Sequence, residues 1–151
     1  MQPKSVEING RKYQVGRFTF RDIGKVEAFV KSKIPNPVSA VLAIEGISDG
    51  DRRFLLENAR KDLVHYPPDV NSPEAQRVVL GTIEGHVLLM EIALTKYQPE
   101  LKTEDIRAIH AEMMASQEHG MRKLAEIFAV AYDADEDASD PKRKDSRKRH
   151  A

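Results

Sequence analysis

The chain has 151 residues and a mass of 17.1 kDa, which is material for one ordinary domain with a real core and for little beyond it. Lysine plus arginine and aspartate plus glutamate each number 24, so whole-molecule attraction to nucleic acid or anionic lipid is not expected and charge-driven binding has to be local. The lack of cysteine excludes disulfides, thiol catalysis, iron–sulfur clusters and Cys-ligated zinc.

No apolar stretch approaches the roughly twenty residues that span a bilayer. The opening Met1-Gln2-Pro3-Lys4 has no signal-peptide apolar region, so a soluble, cytoplasmic protein is expected.

Val6-Glu7-Ile8 and Arg11 to Val15 flank Asn9-Gly10. Asn-Gly between alternating segments predicts a β-hairpin, because both turn residues tolerate positive φ. A lone hairpin is marginal in water, so Ile8, Tyr13, Val15 and Phe18 must lean on other elements, for which the helices that follow are the natural candidates. From Asp22, the spacing of Ile23, Val26 and Val30, with Phe29 beside them, predicts a helix that Pro35 and Pro37 stop. Pro37 suits the first turn of a short second helix carrying Val38, Val41, Leu42 and Ile44 and closed by Gly46. After Asp49-Gly50-Asp51, the residues Phe54, Leu55, Leu56, Ala59, Leu63 and Val64 predict a third amphipathic helix that ends at Pro67-Pro68.

Ser72-Pro73-Glu74 combines an N-cap, a first-turn proline and an acid at the positive helix end. The helix it launches is expected to run to about Tyr97, with Val87 to Leu94 apolar on nearly every side and therefore buried all round. Gly81 and Gly85 lie on one face of it, each costing about 1 kcal/mol of helix propensity, which points to a closely approaching backbone or a bend. Beyond Pro99, Thr103 is expected to cap a helix with Ile106, Ile109 and Met113 inward. Gly120 interrupts or bends the continuation through Met121, Leu124, Phe128 and Ala131.

The fold expected is mainly α: an N-terminal β-hairpin followed by five or six packed helices. Residues 1–20 form the hairpin and its lead-in, 21–132 the helical domain and 133–151 an acidic-then-basic flexible tail. Asp133 to Asp140 holds five acids and Lys142 to Arg149 six bases, with almost nothing to bury.

Chemistry is sparse. Asp133 to Lys144 starts like a calcium loop, but Ala138 stands where glycine makes the turn and Lys144 where a bidentate glutamate binds, so it reads as a solvated linker. His65, His86, His110 and His119 show no ligand spacing, and His86 reads as a hydrogen-bonded core or interface residue. A hydrolase using His110 and Glu112 is the remaining enzymatic alternative. There is no phosphate loop, nucleophile elbow or dinucleotide fingerprint, so no cofactor, no metal and no catalytic residue is expected. Lys142, Arg143, Lys144, Arg147, Lys148 and Arg149 could neutralise phosphates, the basis of an alternative reading as a virion scaffold or nucleic-acid-associated protein. The neighbouring acids and the lack of interleaved aromatics argue instead for a solubilising tail.

Met90, Met113, Met114 and Met121 all fall in the last helices, beside Leu89, Leu124 and Phe128. Methionine suits irregular cores, and it also suits surfaces that accept partner helices of varied shape. Met113 and Met114 are about 100° apart on a helix, so one of them is expected at a flank or an interface.

The segment from Val87-Leu88-Leu89-Met90-Glu91-Ile92-Ala93-Leu94 through Pro99-Glu100-Leu101 to Thr103-Glu104-Asp105-Ile106 resembles the tail assembly chaperones of long-tailed, non-contractile bacteriophages. The likeness spans Gly85 to Met114, and the N-terminal hairpin lies outside it. It implies a small helical protein of the host cytoplasm that coats the hydrophobic tape measure protein, keeps it soluble and yields it as tail tube subunits polymerise. In that family a longer frameshifted product often accompanies the short one. On this reading Leu89, Met90, Met113, Met114, Met121, Leu124 and Phe128 line a partner-binding or self-association surface, and Val26, Phe29, Leu55 and Leu63 support it from the core.

Overall fold

The computed structural model describes residues 3–132; the acidic and basic blocks, with all six candidate phosphate-binding residues, lie outside them. The fold is mainly α with an N-terminal antiparallel hairpin, as expected: β1 (Lys4–Ile8) and β2 (Arg11–Val15), then α1 (Phe20–Lys33), α2 (Pro37–Leu42), α3 (Asp49–Asp62), α4 (Pro73–Leu80), α5 (Ile83–Thr95), α6 (Thr103–Met113) and α7 (Gln117–Ala131). A 3-10 turn, Leu63–His65, follows α3, and the Tyr66–Pro67 peptide is cis.

The chain divides into two compact units, one of residues 1–18 with 89–151 and the other of residues 19–88. In the first, Asn9 (φ 53°) and Gly10 (φ 80°) make the expected turn, and Val6 pairs with Tyr13. Period-two alternation puts Val6, Ile8, Tyr13 and Val15 on one buried face. That face leans on helices that follow, as expected, and specifically on the last of them. β1 and β2 contact α7, Gly16 N donates to Ala93 O at 2.7 Å, and Phe18 N donates to Ala131 O at 3.1 Å. Asn9 Nδ2 donates to Ile109 O at 3.2 Å, and the Gln98 amide bridges both backbone groups of Gln14. A two-stranded ribbon cannot bury its own apolar face, so these contacts replace a missing third strand. α6 starts one residue past its cap: Lys102 is the N-cap, and its N–H donates to Asp105 Oδ2 at 2.8 Å. The Thr103 hydroxyl, expected as the cap, donates to Glu91 Oε1 instead.

In the second unit, Thr19 caps α1, with Asp22 Oδ2 accepting from its N–H at 2.7 Å and from its hydroxyl at 3.0 Å. Asn36 Oδ1 caps α2 and Ser48 Oγ caps α3. α2 stops at Leu42, and Gly46, with its positive φ of 76°, turns the chain after it rather than closing the helix. Ser72 caps α4 as expected, its Oγ accepting from Ala75 N at 3.2 Å.

The single long helix expected from Pro73 to Tyr97 is two helices, bent by 81° at Gly81-Thr82. The Thr82 hydroxyl donates to Val78 O at 2.6 Å and accepts from Gly85 N at 3.1 Å, serving both helix ends at once. The buried His86 places Nε2 2.5 Å from Leu80 O, so that nitrogen carries the proton and satisfies a carbonyl freed by the break. A Cβ at Gly85 would overlap the Val79 carbonyl, so both meanings of the glycine pair hold: the chain bends and a backbone closes on it. Among the described residues no single helix is long and apolar enough to cross a membrane.

A candidate functional site on residues 19–88

The residues expected to form a partner surface separate by burial. Leu89 and Met90 are 0% exposed, Met113 1% and Leu124 2%; these four are core, and their assignment to a partner surface is corrected. The reason is the all-round apolarity of α5, which leaves no wet face for Leu89 or Met90 to occupy, while unbranched methionines fill core gaps. Met114 and Phe128 are half-buried and Met121 is exposed. Gly120 would carry a Cβ against Met114 Sδ, so the Met114 thioether lies over that glycine and occupies the flank that one of the two methionines had to take.

The open apolar side chains are elsewhere. Among the described residues, Phe20, Ile23, Leu42, Ile44, Phe54, Val64, Leu80 and Ile83 are exposed large hydrophobics of the 19–88 unit. Among the described residues of the other unit, only Tyr97, Met121 and Tyr132 are. α1 faces Asp22, Val26 and Val30 inward, which turns Phe20, 93% exposed, outward and leaves Ile23, 37% exposed, at the edge of the covered face. With Glu27 and Lys31 they form one wall of a cleft of about 460 Å³, whose other wall is Pro67 to Asn71.

α2 buries no residue and α3 only Ala59. The face expected to be core is therefore half-open: Leu55, Leu56 and Leu63 are half-buried, as is Phe29, while Phe54 is 65% and Val64 81% exposed. Val26 alone of the expected supporting set is fully buried. The open surface is held in place rather than frayed. The Arg52 guanidinium donates to Val41 O at 3.1 Å, Leu42 O at 3.4 Å and Ile44 O at 2.7 Å, fixing the segment that carries Leu42 and Ile44. Lys33 pairs with Glu84 in the same unit.

His65 and His119 are exposed, His86 and His110 buried. His110 points inward and Glu112 outward from α6, so the helix does not bring that pair together for hydrolysis. Among the described residues no group of three or more histidine, aspartate or glutamate side chains could hold a metal ion. What these capped helices present is a set of exposed apolar side chains, open to a second apolar surface. Their signal in the sequence was the weak burial demand of α2 and α3, short or strongly charged helices whose apolar residues could have been read as excess over a core. No family model, curated protein or solved structure matches the chain.

Proposed function

We propose that the protein acts by binding rather than catalysis, as a cytoplasmic holding protein of the tail-assembly-chaperone kind that keeps a hydrophobic helical tape measure protein soluble until tail tube subunits take it over. The observation that carries this reading is the number of large apolar side chains left open on residues 19–88, led by Phe20, Phe54 and Val64. The client surface is accordingly assigned to the front helices, with Met121 as a secondary contact, and not to the enclosed Met90 and Met113.

Burying one such side chain against a client is worth roughly 1.5–3 kcal/mol before the cost of ordering. A few together hold a client helix, and each alone is weak enough to be displaced. The amphipathic helix of a tape measure protein presents the apolar stripe such a surface accepts. Co-expression with a tape measure fragment tests the proposal: the fragment is expected in the soluble fraction with the protein and in the pellet without it. Equal insolubility in both would end the chaperone reading.

A further inference from the structure

A second cleft of the 19–88 unit, of about 480 Å³, is lined by Ile34, Pro35, Pro37, Ala40, Asp62, His65, Tyr66, Pro68 and Glu74. Three prolines with fixed φ stiffen its lining, to which the Tyr66 ring belongs. Its lining holds two carboxylates and no lysine or arginine, in a chain whose net charge is zero. Among the described residues, Asp62 and Glu74 make no ion pair. Lys33, next to the cleft in sequence, is already paired with Glu84.

From this we infer that the cleft is a docking site for a partner segment that carries an arginine between apolar residues. The guanidinium is a planar donor set that takes carboxylates by charge-assisted hydrogen bonds and stacks on a tyrosine ring, while its methylene stem covers proline. The flanking apolar residues lie on Ile34 and Pro35. A neutral apolar segment would leave Asp62 and Glu74 without gain, and an acidic one would be repelled. The site stands independently of the chaperone proposal, because it asks for a cation whereas the Phe20 and Phe54 surface asks for none.

The test is titration of the full chain, followed by NMR shifts of Ala40, His65 and Tyr66, with a synthetic Leu-Pro-Arg-Leu-Pro peptide and with its citrulline counterpart, which keeps shape and loses charge. The arginine peptide is expected to shift those residues and to bind about tenfold more tightly than the citrulline one. The double variant Asp62→Asn with Glu74→Gln, near-isosteric at exposed positions, is expected to erase that difference while leaving amide shifts elsewhere in place. A peptide of residues 141–151, basic but without large apolar neighbours, is expected to bind at least about tenfold more weakly than the arginine peptide. Equal binding of arginine and citrulline peptides, shifts away from the cleft, or equal binding of the 141–151 peptide would each overturn the assignment.

Discussion

Gly85 packs against Val79 so closely that its missing Cβ would fall on the Val79 carbonyl oxygen. That contact lets α5 start within a few residues of the end of α4 and makes the 81° turn between them. Gly85→Ala therefore gains about 1 kcal/mol of helix propensity and loses more to overlap, for a net destabilisation of about 1–3 kcal/mol in urea unfolding. Gly24, inside α1, has nothing within 4 Å of its Cβ position. Gly24→Ala is expected to stabilise by about 0.5–1 kcal/mol in the same experiment. Two helical glycines thus answer one substitution with opposite signs.

Burial separates the apolar residues of the last helices in the same way. Leu89→Ala and Met90→Ala are each expected to cost about 2–5 kcal/mol, since both sites are fully enclosed. Met121→Ala, at a site 46% exposed, is expected to change stability by no more than about 0.5 kcal/mol. Denaturation midpoints of the three variants check the ordering.

These residues also mark where the sequence speaks and where it is silent. Asn9-Gly10 and Ser72-Pro73 are legible because each solves a local backbone problem that few residue types can solve. The break at Gly81-Thr82 is less so, because α4 and α5 are each apolar enough to keep a helical pattern running through the junction. Only the doubled glycine and Thr82 hint at it. Which helix face ends up covered is a tertiary fact: the all-round apolarity of α5 foretold its enclosure, but nothing in the α3 repeat said that Phe54 and Val64 would stay open. Nor could the sequence show that the hairpin would join the last helices, since β1 and β2 meet α7 only through the fold.

Arg52 ties the carbonyl end of α2 to α3, and no residue of α2 is fully buried. Arg52→Met keeps the stem and removes the donors to Val41, Leu42 and Ile44. Local protection of α2 amides is expected to fall by about 1–2 kcal/mol, seen as roughly tenfold faster hydrogen exchange there. Arg52→Lys is expected to restore only part of it, since an ammonium cannot span the same carbonyls as a planar fork.

Tyr132 lies edge-on to Phe18 with ring centroids 4.5 Å apart, and partial burial pushes its phenol above the ordinary tyrosine value. The folded state holds that proton more tightly than the unfolded one. Its contribution to stability is therefore complete below the ordinary value and is lost as pH rises through the raised one. Alkaline titration of tyrosinate absorbance is expected to place the Tyr132 phenol above the ordinary tyrosine value, and Phe18→Ala, which uncovers that ring, to bring it down.

The proposed holding activity rests on the open side chains of residues 19–88, and a three-way comparison of client solubility tests it most directly. The triple variant Phe20→Ser, Phe54→Ser, Val64→Ser is expected to keep the helical content and unfolding cooperativity of the parent protein and to leave a co-expressed tape measure fragment in the pellet. Met121→Ser is expected to keep most of the fragment soluble, as the parent does. A triple variant that holds the client as well as the parent, or a loss of holding confined to Met121→Ser, would contradict the account.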